Sequence, residues 1–259
     1  MQVRDASFVA ENPANAGRRT LQVEQPGRQC ETGALNEAKE ASKIAIVVRQ
    51  VVMEQLRTGP ISTVLSPLYQ LVQVGQWQLK GRAGPTPHII KEGIVRDYAR
   101  RYGLRVLVET GTYLGDMVWA MRDRFDEIHS IELDAALYRR AQARFLKQSH
   151  VYLHQGDSGV VLSGIAATLS QPALFWLDGH YSGGITAKGP TETPIEGELA
   201  SLLAPSAPDH VILIDDARLF TGDGDYPRVG ELERRVTATK PSLHLSVKDD
   251  VIRIAPQLE

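Results

Sequence analysis

The chain has 259 residues, enough for one sizeable α/β domain with added elements. Its formal net charge of −2 supplies no global field for nucleic acid or an anionic membrane, and a single cysteine, Cys30, excludes an intramolecular disulfide and a cysteine-based zinc site. No apolar run approaches the ~20 residues of a membrane span, and the N-terminus lacks the continuous apolar core of a secretory signal, so a cytoplasmic setting is expected.

Residues 1–40 are rich in Gly, Pro, Asn, Gln and charge, and predict a disordered leader. From 41 the pattern changes: Ile44, Val47, Val48, Val51, Val52 and Leu56 recur at helical spacing. Thr58-Gly59-Pro60 ends that helix, and Pro67 interrupts the apolar segment that follows. Residues 41–87 are therefore expected to form a helical N-terminal cap, or a surface for a homo-oligomer, with Gly81–Pro87 as a linker. The third domain, 88–259, opens with an amphipathic helix over His88–Tyr102.

Arg105–Val108 is too short and too rich in β-branched and aliphatic residues for a helix, and predicts a buried parallel strand. It ends in Glu109, a turn through Thr110-Gly111-Thr112 follows, and a helix is expected over Met117–Phe125. Further strands are expected at Glu127–Glu132, His150–His154, Ala173–Leu177 and Val211–Ile214, with helices at Asp134–Leu146, Ser158–Leu169 and Thr193–Leu203. Leu243–Val247 and Val251–Ala255 flank Lys248-Asp249-Asp250, a tight polar turn that predicts a hairpin. This alternation implies an α/β, doubly wound, Rossmann-like sheet of seven mostly parallel strands with a terminal β-hairpin.

The glycine turn discriminates among ligands. From Gly111, a dinucleotide fingerprint would need glycines where Tyr113 and Asp116 stand, and no Gly-Lys-Ser/Thr follows for a P-loop. What is present is E-x-G-x-x-x-G, from Glu109 through Gly111 to Gly115. Gly111 suits a close approach of backbone to ligand, and Gly115 suits packing of the new helix on the sheet. The spacing resembles motif I of the class I S-adenosylmethionine-dependent methyltransferases, and five β/α units closed by a hairpin with an antiparallel last strand are similar to that family's fold over roughly 88–259.

In a doubly wound sheet, ligands sit beyond the C-terminal strand ends. Here an acid closes each strand: Glu109, Glu132, Asp157, Asp178, and the Asp215-Asp216 pair. Glu132 lies 21 positions after Gly111, close to the ~20 at which an acid takes a ribose diol. Asp134 competes for that role two residues on. The resemblance implies cofactor contacts at Glu109, Gly111, Gly115, Glu132, Asp157 and Ser158, with Asp157 near the adenine; Gly156-Asp157-Ser158 also suits a helix N-cap.

Asp178, Asp215 and Asp216 at neighbouring strand ends form a hard oxygen set suited to Mg²⁺. This arrangement resembles the metal-dependent sugar O-methyltransferases of macrolide and aminocoumarin biosynthesis, with an aspartate after strand four and an Asp-Asp pair after strand five. That subgroup has a further acid two positions past the strand-four aspartate; this chain has His180 there, which suits a general base. The loop at 182–192, with Lys188, is expected either to border the acceptor or to be plain surface.

The sequence thus supports S-adenosylmethionine-dependent, metal-assisted O-methylation of a small hydroxylated acceptor, with no nucleic-acid partner and no membrane span. A metal-independent methyltransferase and a non-catalytic Rossmann-like binding module are the alternatives. A nicotinamide-dependent oxidoreductase is disfavoured by the glycine spacing and by the lack of a Tyr-x-x-x-Lys pair.

Overall fold

Runs such as Val106-Leu107-Val108, Leu174–Leu177 and Val211–Ile214 are buried along their whole length, which suits interior strands of a sheet covered on both faces. In the computed structural model, which describes residues 62–82, 84–179 and 193–258, they are three of seven strands. The chain divides into two compact units, and the second, Val64–Glu259, holds all but the first two residues of the described elements. In chain order its elements are α1 (Ser62–Leu79), α2 (His88–Arg101), β1 (Val106–Thr110), α3 (Asp116–Met121), β2 (Glu127–Glu132), α4 (Ala135–Phe145), β3 (Val151–Gln155), α5 (Ser158–Thr168), β4 (Leu174–Leu177), α6 (Ile195–Leu202), β5 (Val211–Ile214), a short 3₁₀ turn (Ala217–Leu219), α7 (Val229–Thr239), β6 (Leu243–Lys248) and β7 (Val251–Pro256).

The strand order is β3-β2-β1-β4-β5-β7-β6. The first five strands are parallel, and β7 pairs antiparallel with both β5 and β6. The expected sheet and its terminal hairpin are therefore present. Asp249 and Asp250 both adopt left-handed backbone (φ 53° and 55°), which a two-residue turn of this twist requires. The sheet separates two cores. On one face Leu107, Ile128, Trp176 and Leu213 pack with Val95 and Ala99 of α2, Val118 of α3 and Phe145 of α4. On the other, Val108, Phe175 and Ile212 pack with Leu162 of α5, Leu199 of α6 and Val236 of α7.

Some boundaries differ from the expectation. The leader (1–40) and the predicted helix over 44–56 lie outside the described residues, and so does Cys30. The helix α1 runs through Pro67 instead of breaking there. Pro67 is the sixth residue of α1, past the four N-terminal N–H groups that lack a helical acceptor, so its missing N–H leaves one backbone hydrogen bond of the helix unmade. Two residues of Gly81–Pro87 contact the terminal hairpin: Thr86 is buried and donates to the carbonyl of Asp249 at 2.5 Å, and Arg82 pairs with Asp249 at 3.2 Å. The helix after the glycine turn stops at Met121, short of Phe125. A seventh helix, α7, has no counterpart in the sequence reading; only Leu232 and Val236 along it are buried.

Candidate active site

The reversal of strand order falls between β1 and β4, and an open sheet of this kind offers its ligand crevice there, outside the carboxyl ends of the strands. Gly111 leaves β1 with φ 84°, and its N–H donates back to the carbonyl of Ile131 at 2.9 Å. A Cβ at Gly111 would lie 2.5 Å from the Asp178 carbonyl oxygen. The glycine is thus required first by the close approach of β1 to the end of β4. Gly115, with φ 76°, begins α3; a Cβ there would lie 2.7 Å from the Phe145 ring, so it admits the packing of α4 and not of the sheet itself.

Glu132 closes β2 and is 6% exposed. One carboxylate oxygen accepts from the Tyr113 N–H at 2.7 Å and the other from the Asp134 N–H at 2.9 Å, so Glu132 clamps the glycine turn to the end of β2. Tyr113 holds left-handed backbone (φ 48°) within that clamp. Burial raises the Glu132 carboxyl, and the two backbone N–H donors work in the opposite direction. Asp134 is spoken for: its Oδ1 caps α4 by accepting from Ala136 and Leu137 at 2.7 and 2.9 Å. Asp157 likewise caps α5 through Gly159 at 2.9 Å, with Ser158 buried beside it. The cap was one of its two expected uses.

Glu109 lies inside β1, not beyond it, and is 3% exposed. It accepts from Ser130 Oγ at 2.5 Å, and Ser130 lies 2.6 Å from Thr112 Oγ1. Burial, with lesser contributions from Asp178, Glu132 and Asp116, pushes the Glu109 carboxyl up to about 8 against the pull of the Ser130 hydrogen bond. At neutral pH this acid is mostly protonated.

Asp178, after β4, donates its backbone N–H to Thr110 O and shares it with Thr110 Oγ1, both at 3.2 Å. Its neighbour Gly179 lies in a polar nook: a Cβ there would be 3.1 Å from Ser158 Oγ and Thr110 Oγ1 and 3.2 Å from Glu198 Oε1. Glu198, on α6 and 1% exposed, had not been picked out from the sequence. It shares a helical stripe with the buried Ile195, Leu199 and Leu202, and an acid at such a position is the signal that marks it.

The expected metal set is arranged differently from a cation cage. Asp215 is fully buried at its side chain and its Oδ2 is ion-paired with Lys91 Nζ of α2. Asp215 Oδ1 has no hydrogen-bond partner among the described residues. Asp216 turns away in left-handed backbone (φ 55°), and its carboxylate accepts from Arg218 at 2.6 Å, with Arg218 also paired to Asp250. Burial pushes the Asp215 carboxyl up, and Lys91 is the main group pulling it back down. Burial acts to lower Lys91, yet contact with Asp215 and the charges of Asp178 and Asp216 prevail, so its ammonium is held above the usual lysine range. Among the described residues, no group of three or more His, Cys, Asp and Glu side chains is placed to hold a metal ion. These donors do not fit a three-carboxylate Mg²⁺ site, because Asp215 is ion-paired with Lys91 and Asp216 with Arg218. His180 and the loop at 182–192, with Lys188, lie outside the described residues.

No protein-family model matches the chain, and no curated protein matches it. Solved structures similar to it include an O-methyltransferase from Bacillus cereus in complex with S-adenosylhomocysteine (18% identity over 76% of this chain and 95% of that one, TM-score 0.46). Another is CalS10 from Micromonospora echinaspora, an amino pentose methyltransferase with S-adenosylmethionine bound (14% identity, 71% and 97%, TM-score 0.45). A third is the 23S rRNA methyltransferase ErmE (16% identity, 64% and 68%, TM-score 0.42). Likenesses this distant carry no activity across, and the fold stands on the strand order itself. Five parallel strands reversing at β1/β4, an antiparallel β7 and a glycine turn at the crevice give the chain a Rossmann-like fold.

Proposed function

We propose that the chain is an S-adenosylmethionine-dependent methyltransferase acting on a hydroxyl of a small acceptor. The observation that carries this reading is Glu132. One carboxylate oxygen accepts the Tyr113 N–H of the glycine turn and the other the Asp134 N–H just after β2, which leaves a lone pair on each for a vicinal diol at the sheet's ligand crevice. A ribose suits that pair of acceptors, and the glycine spacing supplies no cradle for a dinucleotide's pyrophosphate.

In this reading Gly111 and the turn border the methionine end, Glu109 lies beneath it, and Asp157 with Ser158 borders the adenine. Bound there, the cofactor supplies an electrophilic methyl on a cationic sulfur. In the transfer, the S–CH₃ bond breaks as the acceptor's O–CH₃ bond forms, and the hydroxyl proton passes to a base. His180, two residues past Asp178, is our candidate for that base on sequence grounds, with an ordinary pKa of ~6.5. The protein's further contribution is position, since the reacting atoms must be brought in line. With Asp215 paired to Lys91 and Asp216 to Arg218, the transfer runs without a metal. A homo-oligomer through the N-terminal segment remains a separate proposal and plays no part in the chemistry.

The test begins with binding. S-adenosylhomocysteine is expected to raise the melting temperature while NAD does not, and Glu132→Gln is expected to weaken S-adenosylhomocysteine at least about tenfold, as loss of charge-assisted acceptance requires. Absence of any shift with S-adenosylhomocysteine refutes the cofactor. A labelled-methyl panel of sugars, phenols and an rRNA fragment then identifies the acceptor class, and transfer confined to the RNA would overturn the small-molecule reading. An unchanged pH–rate profile in His180→Ala would remove the base.

A further inference from the structure

We propose that the ammonium of Lys91 is the resident cation of the acidic site at the ends of β4 and β5, and that Lys91, in place of a divalent metal, meets the acceptor oxygen. The second half of this statement rests on the proposed function; the first does not.

Lys91 stands at the fourth position of α2, one turn ahead of the buried Ile94 and Val95. Helical spacing therefore puts a lysine on the face turned to the sheet, where an ammonium is tolerated only when paired. Its side chain is 15% exposed, and the carboxylate it touches, Asp215, is not exposed at all. Asp178 and Asp216 are also close enough for their charges to act on it. Carboxylates gathered at adjacent strand ends repel one another and need positive charge among them. Lys91 supplies it from α2, as Arg218 does for Asp216 on the far side of the same dipeptide.

A divalent ion held by Asp215 would sit about 2.0–2.6 Å from a carboxylate oxygen. The ammonium already contacts the other oxygen of that group, so the two cations would lie within a few ångströms of each other at a buried carboxylate. Occupancy by one excludes the other. An ammonium also carries three N–H donors. Asp215 Oδ2 takes one, and the exposed remnant of the side chain is where the oxygen of a hydroxylated acceptor reaches the others. There a cation favours the oxygen as it loses its proton.

Mn²⁺ binding, read by electron paramagnetic resonance on the full-length protein, tests the exclusion without any turnover. The wild type and Lys91→Arg, which keeps the charge, are expected to leave Mn²⁺ free at millimolar concentration. Lys91→Met, which keeps the stem and removes the charge, is expected to bind one Mn²⁺ at least about 100-fold more tightly than the wild type, and Lys91→Met/Asp215→Asn is expected to lose it again. Circular dichroism and the melting temperature show that each variant is folded. Stoichiometric Mn²⁺ on the wild type, abolished by Asp215→Asn, overturns the proposal. A folded Lys91→Met that gains no Mn²⁺ overturns it as well. If S-adenosylhomocysteine gives no thermal shift while the Mn²⁺ pattern holds, the methyltransferase reading fails and the resident-cation assignment stands. For the acceptor half, methyl transfer unaffected by EDTA, with KM for the acceptor raised in Lys91→Met, is the expected result; transfer abolished by EDTA in the wild type sinks it.

Discussion

Glu109→Gln isolates the one acid in the site that solves its burial by taking a proton. In the folded chain the carboxyl is 3% exposed and has its pKa raised from 4.5 to about 8 by burial. In the unfolded chain it ionises at its ordinary value. The sign follows directly. Below 4.5 both states are protonated and the group costs nothing. As pH rises above 4.5 the unfolded state is favoured by ionisation while the folded state is not, so stability is lost progressively between 4.5 and 8. At pH 7 the penalty is about 3 kcal/mol, from 2.5 pH units at 1.36 kcal/mol each. Glutamine keeps an oxygen for the Ser130 hydroxyl and has no charge to lose. Urea denaturation is therefore expected to show Glu109→Gln about 2–3 kcal/mol more stable than wild type at pH 7, converging with it near pH 4.5. In a unit of this size that corresponds to a melting temperature roughly 5–10 °C higher. The same residue makes a functional claim. A cationic ligand beside Glu109 favours its ionised form, so S-adenosylmethionine, whose sulfonium is positive, titrated calorimetrically in buffers of different ionisation enthalpy should show net proton release at pH 7, absent from Glu109→Gln. A variant less stable than wild type at pH 7, or with an unchanged pH slope, refutes the reasoning.

The opposite slope comes from His210, which is fully buried, accepts from Ala173 N–H through Nδ1 at 3.1 Å and packs edge-on to Phe175. Burial lowers its pKa from 6.5 to about 4, so stability is lost as pH falls from 6.5 toward 4, by up to about 3 kcal/mol. Glutamine at 210 can preserve the acceptor, and His210→Gln is expected to flatten the acid limb of the urea-derived stability profile; an unaltered limb assigns it to other groups. Gly111→Ala places a Cβ 2.5 Å from a backbone oxygen at φ 84°, and is expected to cost at least about 2–3 kcal/mol by denaturation and to weaken S-adenosylhomocysteine binding. A loss under 1 kcal/mol would mean that the β1/β4 approach is looser than described.

The sheet was legible because its strands are short aliphatic runs, each bounded by a turn, alternating with helical stretches of ordinary length. What escaped had a physical reason. α7 is short and charge-rich, and its helical spacing rests on three apolar positions alone, Val229, Leu232 and Val236. Pro67 disfavours a helix interior, and α1 nevertheless runs through it at its sixth residue, at the loss of one backbone hydrogen bond. At the site, the rivalry of Glu132 and Asp134 is settled by capping, which a single sequence leaves open since either acid can cap or bind. Two signals were present and unused. Consecutive side chains near a strand end tend to opposite sides, so Asp215 and Asp216 could each take a counterion of its own, as they do with Lys91 and Arg218. And a lysine one turn before Ile94 and Val95 is a charge on an apolar face that demands a buried partner.

The acids at the strand ends carry their burden in different ways, and the means divides their uses. Glu132 is held by two backbone N–H groups, which no ligand displaces, so its free lone pairs are a fixed feature of the crevice. Asp216 is held by Arg218, itself tied to Asp250 of the hairpin, and so belongs to the seam between β5 and β7. Glu109 is held by an exchangeable proton, which makes it the position where an incoming positive charge gains most. Asp215 is held by a single lysine on a long stem, the one counterion here that a solute cation can challenge. A backbone clamp suits a neutral sugar, a protonated acid suits a cationic donor, and a mobile ammonium suits an oxygen that becomes negative. Those three demands are the ones that the proposed methyl transfer from a sulfonium to a hydroxyl would make.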